Sequence, residues 1–157
     1  MAKKLNYVWN YLSSTLSNFR VKLLGYKSYA AQIGQVGTDP ITAIELANDF
    51  GNITYTRQGP GLYTIDFPTP ISRHKLFIPT STDWLANSTI TYPISDGGTI
   101  IGYIFIYPKI DGIYPWPLAS GIFIDSQDLT FNSVELETML NAGGHEGRLY
   151  IEFKVYN

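Results

Sequence analysis

From Tyr26 to Tyr156 apolar and aromatic residues recur at every second position, in short runs cut by glycine, proline and small polar residues. That period suits half-buried β-strands and no long helix. "YKSYAAQIGQ" (26–35), "NITYTR" (52–57), "GLYTIDF" (61–67), "KLFIP" (75–79), "STITYPI" (88–94) and "LYIEFKVY" (149–156) are the predicted strands. In the last of these Leu149, Ile151, Phe153 and Val155 share one face, and Tyr150, Glu152, Lys154 and Tyr156 share the other. "TIIGYIFIYP" (99–108) is apolar on both faces, which marks a strand with something packed on each side or a strand at a subunit contact. "ASGIFIDS" (119–126), "ITAIELAN" (41–48) and "VELETML" (134–140) continue the pattern. The last two also suit short helices on propensity, and strands are expected for both. Turn signals fall at "GTDP", "RQGPG", "SDGG", "KIDG" and "NAGG", so eight to ten short strands are expected in an antiparallel β-sandwich or barrel, the sandwich preferred. No repeat or linker divides residues 26–157, and a chain of 157 residues supports one hydrophobic core.

The first 25 residues follow another rule. Leu5, Trp9, Leu12, Leu16, Phe19 and Leu23 are spaced 4, 3, 4, 3, 4, which lines them along one stripe of an amphipathic helix ending near Gly25. Such a stripe needs a surface. Its own sheet, a second polypeptide and a membrane surface all suit it, although Trp9 is large for a tight two-stranded seam and the polar face is modest for a membrane. The partition is therefore residues 1–25 as an anchoring or oligomerisation helix and 26–157 as the β-domain.

Charge follows the same division. Lys3, Lys4, Arg20 and Lys22 give the first 25 residues +4 with no acid, leaving seven basic and thirteen acidic groups beyond them, a net of −6. Four basic residues offer only weak, salt-sensitive phosphate contacts, so nucleic acid is not an expected partner. Without cysteine the chain has neither disulfides nor thiolate metal sites. No run reaches the length of a membrane-spanning helix and the opening segment lacks the features of a secretory signal, so a soluble product is expected.

No motif for catalysis emerges. His74 and His145 are far apart in sequence, and His145–Glu146 sits in the glycine-rich stretch "GGHEG", where a hairpin turn explains the glycines. "IDSQDLTF" (124–131) is oxygen-rich, but Asp125 and Asp128 lack the ligand density of a calcium loop and a downstream bidentate glutamate. Neither a nucleophile elbow nor a phosphate loop occurs, so no enzyme, cofactor or metal is expected. "YPKIDGIYPWP" (107–117) has binding character: Tyr114 and Trp116, stiffened by Pro115 and Pro117, are candidates for gripping a glycan or protein, with plugging one end of the domain or a subunit interface as the alternative.

One pattern points further. Tyr26-Lys27-x-Tyr29, Gln35-x-Gly37-Thr38-Asp39-Pro40, Leu46-x-Asn48, Gly51, Tyr55-Thr56-Arg57 and Gly59-x-Gly61-x-Tyr63 resemble a β-domain family of uncharacterised proteins from bacteriophages and prophages of Bacteroidetes hosts, crAss-like phages among them. "SVELETML" and "LYIEFKVYN" look like that family's paired C-terminal strands, with Phe153 and Lys154 where Ile and Arg are more usual. The resemblance spans nearly all of residues 26–157, the middle matching only in its rhythm of strands and turns. It implies a virion-associated, non-enzymatic part such as a head fibre, decoration, collar or tail protein. Other virion proteins, further copies of the chain and a host surface glycan or protein are the implied partners. Under that reading the basic helix grips the particle and the acidic β-domain faces outward.

Overall fold

A computed structural model describes residues 25–78, 89–111, 117–144 and 147–156. The predicted stripe of Leu5, Trp9, Leu12, Leu16, Phe19 and Leu23 lies outside them, as do Tyr114, Trp116, His145 and Glu146. The described residues form nine strands: β1 (Tyr26–Gly34), β2 (Thr42–Asn48), β3 (Thr54–Gly59), β4 (Leu62–Ser72), β5 (Leu76–Phe77), β6 (Ile90–Asp96), β7 (Thr99–Asp111), β8 (Leu118–Asp128) and β9 (Leu149–Tyr156). A 3-10 turn covers Arg73–Lys75, and one helix, α1, covers Leu136–Ala142. The fold is mainly β: one sheet runs β2-β1-β9-β5, the other β3-β4-β8-β7-β6, with antiparallel pairing throughout.

Alternation decides which side each strand buries. On β9, Leu149, Ile151, Phe153 and Val155 are buried, and they face Ile33, Ala31, Tyr29 and Lys27 across the β1 ladder. Tyr63 and Ile65 on β4, Ile122 and Ile124 on β8, and Ile104 and Ile106 on β7 close the core from the second sheet. Phe153 is its hub. It stacks on Tyr29 in its own sheet at 4.8 Å and meets Phe67 of the other sheet at 5.2 Å, with Phe50 at 5.4 Å. These aromatic pairs add to the area they bury and hold the layers together.

The turns obey their local chemistry. Gly97 and Gly98 both take positive φ between Asp96 and Thr99, the two-residue hairpin whose twist matches its strands. Gly61 also has positive φ, and a Cβ there would come within 2.6 Å of the Ser126 carbonyl and 2.8 Å of the Val134 carbonyl. The β3–β4 hairpin thus lies directly against β8 and the approach to α1.

Two expectations need correction. "VELETML" is not a strand: Leu136, Met139 and Leu140, spaced i, i+3, i+4, are all buried on one side of α1, so helical periodicity wins over the alternation of Val134, Leu136 and Leu140. The paired C-terminal strands implied by the resemblance are accordingly a helix and one strand, and β9 pairs with β1 and β5. Of "KLFIP", Lys75 ends the 3-10 turn and Leu76–Phe77 form β5, while Pro79 lies outside the described residues. "ITAIELAN" is the strand expected, β2.

Replacing Phe153 by alanine removes the ring that joins both layers, and should cost about 3–5 kcal/mol in urea unfolding followed by circular dichroism. A loss below about 1 kcal/mol would show that the two sheets are held by something else.

Candidate functional site

Three residues of the motif behind the resemblance, Gln35, Arg57 and Tyr63, meet Glu135 at one end of the sheets. Gln35 follows β1, Arg57 lies on β3, Tyr63 on β4, and Glu135 immediately precedes α1. Arg57 forms an ion pair with Glu135, and the Tyr63 hydroxyl and the Gln35 side-chain amide meet the same carboxylate, the amide at 2.8 Å. Gln35 Nε2 also donates to the carbonyls of Gly37 at 2.8 Å and Asp39 at 3.2 Å, which orients its Oε1 towards Tyr63 at 2.6 Å. The N–H groups at the helix start, which have no partner within the helix, are taken as well: Leu136 donates to the Tyr63 hydroxyl and Glu137 to Gln35 Oε1, both at 3.2 Å. Glu137 in turn accepts the Gly37 N–H at 2.6 Å.

This cluster is a clasp. Arg57 neutralises Glu135, and the donors and acceptors of Gln35, Tyr63 and Glu135 satisfy one another. The Arg57 hydrogen bond draws the Glu135 carboxyl down to about 2, against the opposing effect of desolvation and with help from Tyr63 and Gln35. Desolvation, then the bond to Glu135, pushes the Tyr63 phenol up to about 12. A second tie crosses between the sheets nearer β2. There the Tyr29 and Tyr55 hydroxyls lie 2.7 Å apart, and Tyr55 donates to Glu45 at 2.9 Å.

Other motif residues shape turns. Asn48 accepts the N–H groups of Phe50 and Gly51 and donates to the Gly51 carbonyl, and Tyr26 packs on Tyr156 beneath the Lys154 ammonium. Glu135 stands in the quoted "SVELETML", but nothing local links it to Arg57, 78 residues away, so the sequence gives it no site role.

A different surface offers binding chemistry. On the face of β7 and β8 turned away from the first sheet stand Tyr103, Phe105, Tyr107, Phe123, Asp125 and Gln127, while Ile104, Ile106, Ile122 and Ile124 point into the core. Tyr107 sits opposite Phe123 with ring centres 5.3 Å apart, and Tyr103 and Phe105 lie 6.0 Å apart. Asp125 faces Phe105 on one side and Leu62 on the other, and accepts from Gln127 at 2.7 Å. Desolvation among these apolar neighbours raises the Asp125 carboxyl above its ordinary value. Burial likewise raises the Tyr107 phenol, and the Asp125 charge adds to the shift. Across Gly121 the Lys109 ammonium bonds Asp66 at 2.7 Å and closes this end of the face.

The two-sided apolar character of "TIIGYIFIYP" therefore has two causes, the core on one side and this aromatic face on the other. The oxygen-rich loop resolves differently. Asp128 accepts from the Thr130 and Asn132 N–H groups and from the Thr130 hydroxyl, forming a self-capped turn, while Asp125 belongs to the aromatic face. No group of three His, Asp or Glu side chains among the described residues is arranged to hold a metal ion. A crevice between the sheets, lined by Ile78, Ile90, Tyr92, Ile106, Ile122, Ile151, Glu152 and Phe153, has room for about 10 Å³, hardly more than one water.

Comparison with protein-family models, curated proteins and solved structures gives no match.

The Glu135 carboxyl has an ordinary value of 4.5 and a folded value of about 2. Its stabilisation is therefore complete above 4.5 and is lost as pH falls towards 2. The urea midpoint should fall across that window, and Glu135→Gln should flatten this part of the profile while lowering stability at pH 7 by about 1–3 kcal/mol. An unchanged profile in the variant would remove Glu135 from the acid response.

Proposed function

We propose that this protein is a non-enzymatic structural component of a bacteriophage particle, of head-fibre, decoration, collar or tail type, assembling as a homo-oligomer. Residues 1–25 serve as its amphipathic attachment helix, and residues 26–157 form a β-sandwich that contacts other virion proteins or faces the host. The observation that carries this reading is the fate of the motif residues. Gln35, Arg57, Tyr63 and their partner Glu135 are spent on fastening sheets and helix to one another. A motif devoted to stability suits a part whose work is mechanical, and the virion setting rests on the family resemblance.

The aromatic face favours a second reading, a module that binds glycan. Flat rings stack on the C–H faces of sugars, and Asp125 with Gln127 supplies the acceptor and donor that sugar hydroxyls require. This reading adds Tyr103, Phe105, Tyr107 and Phe123 as a candidate contact beside Tyr114 and Trp116, which lie outside the described residues.

Light scattering of the full chain beside a chain starting at Gly25 separates assembly from attachment. The full chain should form a discrete oligomer, and removal of the first 24 residues should reduce it. A full chain that stays monomeric at every concentration overturns the assembly reading. Antibody against the chain should decorate intact particles in electron micrographs, whereas a chain found only free in the lysate rejects a virion role. For the second reading, saccharide binding should fall about tenfold or more in Tyr107→Ala and Asp125→Asn. Binding indifferent to both changes would clear this face of that role.

A further inference from the structure

Every open sheet ends in strands with unpaired backbone groups, and proteins normally blunt them. The four edges here are treated unequally. β6 carries Pro93 in its middle, β5 has two residues, and β3 exposes the polar Thr54, Thr56 and Gln58. β2 is guarded least at its centre, where exposed Ile44 and Leu46 flank Glu45, its single charge. It runs for seven residues without proline, lysine or arginine, pairs only with β1 among the described residues, and leaves Ile44 50% and Leu46 60% exposed.

We propose that β2 is the self-association edge, joining antiparallel to β2 of a second copy about a two-fold axis at Ile44. The inference rests on the assembly reading above and names its surface. An unpaired strand edge calls for another strand, and the same edge on another copy supplies one with the same needs. Charge selects the register. Glu45 is already held by Tyr55 and by Asn48 Nδ2 at 3.0 Å, and among the described residues it forms no ion pair. An axis at Glu45 would set two carboxylates opposite each other, which is unfavourable. An axis at Ile44 instead sets Ile44 against Ile44 of the second copy, Glu45 against Ala43 and Thr42 against Leu46. The irregularity opposite Ala30 and Ala31, where Leu46 is the extra residue of β2, disfavours an axis farther along the strand. One seven-residue edge buries less than the ~1,200 Å² of a stable standard interface, so the contact is weak alone and gains from a second attachment such as residues 1–25.

The absence of native cysteine makes the test direct. In the full chain with Ile44→Cys, any disulfide must join two copies through position 44, and paired strands bring those positions within disulfide reach. Covalent dimer should form at least about tenfold faster than in Thr56→Cys on the β3 edge, because only the first position is held against its counterpart. Equal rates overturn the proposal. In parallel, Ile44→Lys on the exposed edge should weaken self-association of the full chain about tenfold, by setting lysine against lysine, with Tm unchanged. A full chain that self-associates equally well with Ile44→Lys refutes the β2 edge alone, and a native full chain that never self-associates refutes the assembly reading with it.

Discussion

Glu135 lies where both sheets and the helix meet, and its carboxylate receives Arg57 from β3, Tyr63 from β4 and Gln35 from the end of β1. Each donor is a group that would be costly to leave unpartnered at a half-buried position. The carboxylate satisfies them together, and the helix start uses the remaining oxygens of Tyr63 and Gln35 for its own N–H groups. A seven-residue helix is too short to be stable by itself. It exists here because these contacts and the burial of Leu136, Met139 and Leu140 make it part of the core.

The clasp and the aromatic hub act at different places on the same layers. Phe153 draws Tyr29, Phe50 and Phe67 together without directional bonds, whereas Tyr29–Tyr55–Glu45 and Gln35–Tyr63–Glu135–Arg57 fix how one sheet sits on the other. Burial supplies most of the attraction, and polar geometry selects one arrangement of the layers. The polar chemistry of Gln35, Arg57 and Tyr63 is thus consumed inside the fold.

Much of this was legible in the sequence, and the failures have physical causes. Alternation placed β9 at its observed bounds and put Leu149, Ile151, Phe153 and Val155 inward, since a strand with one wet face has a strict period. The same rule misread Val134–Leu140, where Leu136 and Leu140 fit both periods and only the burial of Met139 decides for a helix. Arg57 and Tyr63 stood in the quoted motif, yet their partner Glu135 is brought to them by tertiary folding. The aromatic face was present as the doubly apolar β7 pattern, but alternation alone does not say whether a second apolar face meets another layer or projects outward.

In the glycan-binding reading proposed above, Asp125 sets the chemical requirement of the outer face. A carboxylate between Phe105 and Leu62 is held partly out of water, and Gln127 offers one amide hydrogen bond where full hydration would offer several. Had the rings served only to stiffen the sheet, a threonine or serine at this position would cost less. The free oxygen capacity of Asp125, framed by Tyr107 and Phe105, is best met by hydroxyl or amide donors arriving with an apolar surface of their own, a requirement met by a sugar ring and by the polar edge of a protein interface, whereas a purely hydrophobic partner would leave the carboxylate dehydrated and unmatched.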